Sequence, residues 1–434
     1  MAREQEEAVA QTETASRRYA TTVVVLATLG MLGCEFDSGI RHVALPLIIK
    51  SLHMNIAQGS MVFSASFLVT FFGNLAIGPI LDRWGRKPAL IVSLAFSAVF
   101  SGLTALVTQA WEYAIIGALA GTSLVVMQPA EVIVSEEVPS KWRGTLMAVV
   151  QAGFSVGAII VSLAGAAILP TGHWRILFLL SFWPLLIAGA CLLFLREPPR
   201  SAEAIAVKRA ARRQASEVRT HYAIDRRRAT QSEWAQLFAP DLRRQTVVTA
   251  IYGFFGNFGN GFVLVLGVTY LTIYNHLPIG VASGSFAIEG LAALVGQLVS
   301  GVVSDRVGPR TVLLIGSLAG GLAIWLLTHR GGVAWVMMAL AVYGFVGGGA
   351  LGSALRYFAE SFPTRARGSG VGLVSALQML GGGTLAPVIY GELMNSGHPA
   401  MAAWIAGAVM IAGALALILG RTIAPRKELE ELVT

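Results

Sequence analysis

Long apolar runs separated by short polar breaks dominate this chain. Thr21–Val25, Ala89–Phe100, Phe178–Leu195 and Ala403–Leu419 are examples, each within a stretch near the ~20 residues that carry a helix across a bilayer. Together the runs predict twelve helices at 20–49, 60–81, 88–108, 111–135, 144–168, 174–195, 246–274, 281–303, 310–328, 334–358, 368–393 and 400–421. Their continuity excludes a β-barrel, whose short strands alternate apolar and polar positions. An all-α membrane protein follows, because a helix satisfies its own backbone in lipid.

Composition agrees: 55% of the 434 residues are hydrophobic and 13% are charged, against roughly 25% charged in a soluble chain. Near the start, Glu4, Glu6, Glu7 and Glu13 stand where a signal peptide carries basic residues, so the first apolar segment is expected to be retained. Cys34 and Cys191 both lie in apolar segments, and no Cys/His spacing fits a metal site. No cofactor is expected.

The net charge of +8 could suggest nucleic acid, but its distribution points to membrane topology instead. With the N-terminus in the cytoplasm, the opposite side receives only Lys50, Arg175 and Arg330, while Arg41 and Arg356 fall inside segments; every other Lys and Arg is cytoplasmic. The positive-inside rule therefore places both termini in the cytoplasm. The domain reading is a tail at 1–19, a six-helix bundle at 20–195, a polar linker at 196–245, a second bundle at 246–421 and a tail at 422–434. Arg212-Arg213 and Arg226-Arg227-Arg228 mark the linker as a cytoplasmic segment suited to the membrane surface.

An internal repeat supports that division. Gly78, Asp82, Arg83 and Gly85 recur as Gly301, Asp305, Arg306 and Gly308, displaced by 223 positions. Glu136, Pro139, Arg143 and Gly144 recur as Glu360, Pro363, Arg367 and Gly368, displaced by 224. Two parallel six-helix repeats are predicted.

The stretch Gly78-Pro-Ile-Leu-Asp82-Arg83-Trp-Gly85-Arg86-Lys87 resembles the signature between helices 2 and 3 of the major facilitator superfamily. That resemblance implies a conformational latch of Gly78, Asp82, Arg83, Gly85, Arg86, Asp305, Arg306, Glu136, Arg143, Glu360 and Arg367, with Asp82 facing the start of helix 11 and Asp305 the start of helix 5. The same charges also serve as topology anchors. Glu360-Ser-Phe-Pro363-Thr-Arg365-Ala-Arg367-Gly368 and Arg196-Glu197-Pro198-Pro199-Arg200 look like the sugar-porter, metabolite/proton and aromatic-acid/proton symporter branches. Phe36-Asp37, with Pro46 nine positions after the Asp, resembles the pattern in helix 1 of aromatic-acid/proton symporters. One departure stands out: the Arg usual in helix 4 of that branch falls at Gly117, before Gly121, and the first segment carries Arg41 instead.

Ionisable side chains at membrane depth are costly unless paired or neutralised, so Glu35, Asp37, Arg41, Glu131, Glu289 and Arg356 are candidates for function. Asp37 and Arg41 are spaced i, i+4, which permits an internal ion pair. Glu35 points to another face, and Glu131 could act in coupling or pair with basic loop residues. Glu289 has no basic neighbour within a turn, so desolvation favours proton exchange there. For Arg356 a pair with Glu360 suffices. Gln151, Asn257, Asn260 and Gln378 offer hydrogen bonds either to a polar solute or between helices. Gly347–Gly349 and Gly381–Gly383 read as close packing and bending, since neither run precedes Lys-Ser/Thr as a phosphate loop does.

The expected function is secondary active transport of a small organic acid together with protons, with Arg41, Gln151, Asn257, Asn260 and Gln378 at the substrate and Asp37, Glu35, Glu131 and Glu289 in proton coupling. Neutral metabolites, sugars, drug export and nutrient sensing stay open as alternatives. An enzyme is disfavoured by the lack of a clustered nucleophile or metal site. The chain is expected to act as a monomer in the inner membrane.

Overall fold

A computed structural model describes residues 2–138, 143–198, 237–329, 331–362 and 367–422. Among these, twelve helices are long and apolar enough to span a bilayer: α1 (Arg18–Ser51), α2 (Ile56–Asn74), α3 (Arg86–Leu106), α4 (Ala110–Val134), α5 (Val149–Thr171), α6 (Arg175–Phe194), α7 (Arg243–Ile273), α8 (Ile279–Ser304), α9 (Pro309–Leu326), α10 (Val333–Phe358), α11 (Gly370–Asn395) and α12 (Pro399–Leu419). No strand occurs among the described residues. Most of the linker lies outside them.

Element ends depart from the apolar runs where polar residues keep helical geometry. The helix that contains α1 runs unbroken from Ala2 to Ser51, since Ala, Gln, Glu and Arg are good helix formers. The helix of α2 begins at Ile56 and ends at Trp84. Its start is fixed by reciprocal bonds, Asn55 N–H to Gln58 Oε1 at 2.9 Å and Gln58 N–H to Asn55 Oδ1 at 2.8 Å, which satisfy two orphan donors.

Several spans change winding midway. α4 tightens to a 3₁₀ helix over Ala120–Val126, and α6 is interrupted between Leu180 and Pro184. π turns occupy Phe262–Leu266, Gly344–Gly348 and Met379–Leu385. Both glycine runs therefore sit in or beside π turns where helices press together: a side chain at Gly349 would lie 2.9 Å from Gly296, and one at Gly382 would lie 2.7 Å from the Asn257 carbonyl carbon.

The 223-residue repeat is visible in backbone detail. Gly85 and Gly308, which precede α3 and α9, have φ of 109° and 87°, a region that side chains disfavour. His53 and His276, at the turns before α2 and α8, have φ of 53° and 55°. Lys87 Nζ donates to the Leu192 and Leu195 carbonyls at the end of α6. Its repeat mate Arg310 donates to Leu417 and Ile418 at the end of α12. In each half a basic side chain from the third or ninth helix thus caps the last turn of the sixth or twelfth.

Among the described residues, the three largest apolar cores organise the packing. One joins both halves at the end remote from the termini, where Leu45, Ile48 and Phe63 share a core with Phe262, Leu266, Tyr390 and Met394. A second lies within the first half, around Met31, Leu90, Ile133 and Cys191, and a third within the second half, around Tyr252, Leu313 and Tyr357. Two of the seams between the halves share a feature. Ser283 in α8 donates to the Ser162 carbonyl in α5 at 2.9 Å and occupies the space a side chain at Gly165 would need. Its repeat mate Ser60, in α2, fills the corresponding space at Gly391 in α11. Outward-facing Leu186 and Leu193 are both 77% exposed, which suits a surface solvated by lipid.

Candidate functional site

Asp37 and Arg41 share one face of α1, yet no ion pair joins them. Asp37 is fully buried and accepts a 2.7 Å hydrogen bond from Ser97 Oγ of α3. Arg41, 3% exposed, turns toward α4 and α2. Its Nη1 donates to the Gly117 carbonyl and its Nη2 to Ser123 Oγ, both at 3.4 Å, while Nε has no hydrogen-bond partner. The guanidinium carbon lies 5.9 Å from the centre of the Phe63 ring, a distance that admits cation–π attraction. The pair allowed by i, i+4 spacing is therefore replaced by two separate attachments to neighbouring helices.

Local winding of α4 explains why Gly117 is available. The change from α to 3₁₀ geometry at Ala120 frees carbonyls of the preceding turn. Ser66 Oγ donates to Gly117 O and Thr70 Oγ1 to Gly121 O, each at 2.6 Å. Gly117 O also accepts from Arg41 Nη1 at 3.4 Å. A side chain at Gly117 would meet Val62 at 3.0 Å and the Tyr113 ring at 3.2 Å, so α4 has little room for a long residue here. The guanidinium arrives from α1 instead.

Beside it are groups that sequence reading missed. Tyr113 is fully buried, its hydroxyl has no hydrogen-bond partner, and it lies within electrostatic reach of Arg41. His42 packs on Phe63 with ring centres 5.1 Å apart and an unpaired Nε2. Each occupies a position that reads as ordinary apolar helix; only the four-residue step from Tyr113 to Gly117 hinted at a shared face.

Glu35 lies on another side of α1, against α5, where a side chain at Gly157 would touch its Cβ at 3.1 Å. It is buried and within electrostatic range of Glu289 in α8. Glu289 borders Gly348 of α10, whose missing Cβ would lie 3.6 Å from Oε1. These two carboxyl groups come from opposite halves and flank the α5–α8 seam, where a Cβ at Gly290 would approach Ile159 at 3.2 Å. Neither forms an ion pair among the described residues.

In the second half, Asn260 Nδ2 donates to Asn257 Oδ1 at 2.8 Å, and Asn257 Nδ2 donates to the Gln378 backbone carbonyl at 3.1 Å. Tyr343 of α10 donates to Asn260 Oδ1. The two asparagines thus bond between helices, and Tyr343, absent from the sequence expectation, completes the group. Gln151 has a buried Oε1 without a partner.

Glu131 makes no ion pair with Arg or Lys among the described residues, and the basic loop residues Arg83, Lys141 and Arg143 that it could meet have side chains outside them. Arg356 bonds Glu360 at 2.8 Å and reaches Ser304 Oγ at 3.4 Å. Within the sequence-derived latch, the surroundings of Gly78 and the side chains of Asp82, Arg83, Glu136, Arg143, Asp305 and Arg367 lie outside what the structure describes, and Arg306 is exposed. At the first-half signature, Glu197 Oε1 and Oε2 accept the Arg86 and Lys87 backbone N–H groups at 2.8 and 3.0 Å. A side chain on Gly85 would lie 2.6 Å from that carboxylate. Glu197 therefore caps the start of α3, a role that its Arg196-Glu197-Pro198-Pro199-Arg200 setting could have suggested.

Comparison with known proteins adds family context. The family described as Major Facilitator Superfamily matches residues 27–288 and 275–433. The chain is 24% identical to the cis,cis-muconate transport protein of Acinetobacter baylyi, with 88% of this chain and 90% of that one aligned. It is 26% identical to the gallate transporter of Pseudomonas putida, over 87% and 85% of the two chains. Its fold is similar to the crystal structure of a D-xylose-proton symporter, with a TM-score of 0.73, 18% identity and coverage of 94% and 98%. Family match and fold agree across both halves: this multi-pass membrane protein belongs to the major facilitator superfamily of transporters.

Proposed function

We propose that this chain is a secondary active transporter that moves a small organic acid together with protons by alternating access. One observation carries the substrate class: the Arg41 guanidinium is buried, holds only long bonds to neutral acceptors and has no carboxylate within ion-pair distance. A buried charge so placed is poorly compensated, and a carboxylate forms parallel charge-assisted bonds with a guanidinium. Names of the muconate and gallate relatives fit the same chemistry.

Coupling is assigned to Asp37, Glu35, Glu131 and Glu289, the carboxyl groups that the spans hold at membrane depth. Asn257, Asn260, Gln151 and Gln378 are assigned to the polar part of the substrate. The core shared at the remote end and the separate cores nearer the termini support a reading in which the halves rock about the α5–α8 and α2–α11 seams. In this reading the protein acts as a monomer in the inner membrane, with both termini cytoplasmic and the loop signatures as latches.

Binding to the purified full-length protein tests the substrate class, with benzoate, gallate and cis,cis-muconate as probes and thermal stabilisation as readout. At least one acid should stabilise the wild type, and Arg41→Ala should remove the effect while remaining folded. Stabilisation by neutral sugars alone, or unchanged acid binding by Arg41→Ala, would overturn the assignment.

A further inference from the structure

Three features converge on Gly117. The Tyr113 ring lies against Gly117, in contact range of the Cβ which that residue lacks, and Arg41 reaches the same residue's carbonyl. Tyr113 is 0% exposed and Arg41 3% exposed, so water is a minor solvent for either. The Tyr113 hydroxyl and Arg41 Nε are both without a hydrogen-bond partner.

Two orphan donors on side chains that meet the same residue call for an acceptor with two oxygens. Gly117 O cannot serve both, since it already accepts from Ser66 and Arg41 Nη1. Ser123 Oγ is engaged by Nη2. A neutral acceptor would satisfy the hydroxyl but leave the guanidinium charge uncompensated. A carboxylate satisfies both, because one oxygen can accept from Nε and the other from a phenol. Phe63, Val62 and the Tyr113 ring supply apolar walls.

We propose that Tyr113 is a specificity-determining residue of the Arg41 site, its hydroxyl donating to the second oxygen of a substrate carboxylate. This inference rests on the organic-acid reading and names a further residue in it. Tyr113 favours carboxylates over isosteric neutral groups, because its hydrogen bond to an anionic oxygen is charge-assisted and stronger than one to a neutral acceptor.

Benzoate and its neutral isostere benzamide, titrated against full-length protein in detergent, separate selection from a structural role. Chloride is included to distinguish a carboxylate site from a general anion site. Wild type is expected to prefer benzoate, and Tyr113→Phe, which keeps the ring, is expected to lower benzoate affinity roughly tenfold or more and benzamide affinity by a much smaller factor, because the bond to a neutral acceptor is weaker. A merely structural role would weaken both probes alike, and that result overturns the proposal. Unchanged benzoate affinity in Tyr113→Phe, with a loss in Arg41→Ala, removes Tyr113 alone. Equal binding by wild type and Arg41→Ala, or wild-type binding of chloride but not benzoate, removes the organic-acid reading and this inference with it.

Discussion

The guanidinium of Arg41 in α1 donates to the backbone carbonyl of Gly117 in α4 across 3.4 Å, at the position where the resembling branch carries an arginine on α4 itself. A Cβ at Gly117 would already crowd Val62 and Tyr113. In this chain α1 supplies the positive charge beside the α4 backbone. Arg41 and Asp37 both belong to α1.

Enlarging position 117 should therefore not restore an arginine site. Gly117→Ala is expected to cost about 1–3 kcal/mol through overpacking, and Gly117→Arg in an Arg41→Ala background should destabilise further without recovering acid binding. Thermal melting and benzoate titration check both. Recovery of binding in the double variant would show that α4 accommodates the longer side chain.

The two seams invite a cross-linking measurement. Ser60 abuts Gly391 and Ser283 abuts Gly165, so Ser60→Cys with Gly391→Cys, or Ser283→Cys with Gly165→Cys, places thiols together across the halves. Oxidation should form each cross-link and arrest transport, and reduction should restore it. Free transport with a complete cross-link would sink rocking about these seams.

Coupling has its own signature. Replacement of Glu289 by Gln, or of Asp37 by Asn, is expected to leave substrate exchange in proteoliposomes but to abolish accumulation driven by a proton gradient. Wild-type transport that neither responds to protons nor moves them would remove the coupling assignment.

Glu197 offers a stability test away from the proposed substrate site. Its carboxylate accepts two backbone N–H groups at the start of α3, an interaction worth about 0.5–2 kcal/mol at a helix N-terminus. Glu197→Ala should lower the melting temperature, and Glu197→Gln, which keeps one acceptor oxygen, should lower it less. Equal melting of all three proteins would mean that the cap contributes nothing.

The repeat also shows where the halves have diverged. Lys87 and Arg310 cap equivalent helix ends, and Gly85 and Gly308 share their left-handed backbone. Arg310 additionally reaches Thr422 Oγ1 at 2.6 Å, whereas Lys87 shares its turn with the Glu197 carboxylate. Among the described residues, the acidic cap belongs to the first half.

Much of this architecture was legible in the chain itself, because lipid imposes a nearly one-dimensional rule: an apolar run of sufficient length becomes a spanning helix. The twelve spans, the 223-residue repeat and the family resemblance all follow from order along the sequence. The sequence also marked Arg41, Asp37 and Glu289 as costly at membrane depth. What it could not decide was their partners. Spacing of i, i+4 brought Asp37 and Arg41 to one face of α1, but Ser97 of α3 and Gly117 of α4 took them in different directions. Those partners lie 60 and 76 residues away in sequence, and the availability of Gly117 O depends on a change of winding at Ala120 that no apolar pattern records. Glu197 and Tyr113 gained their places in the same way, since hydrogen bonds between helices depend on which faces meet after packing, and only the tertiary structure sets that.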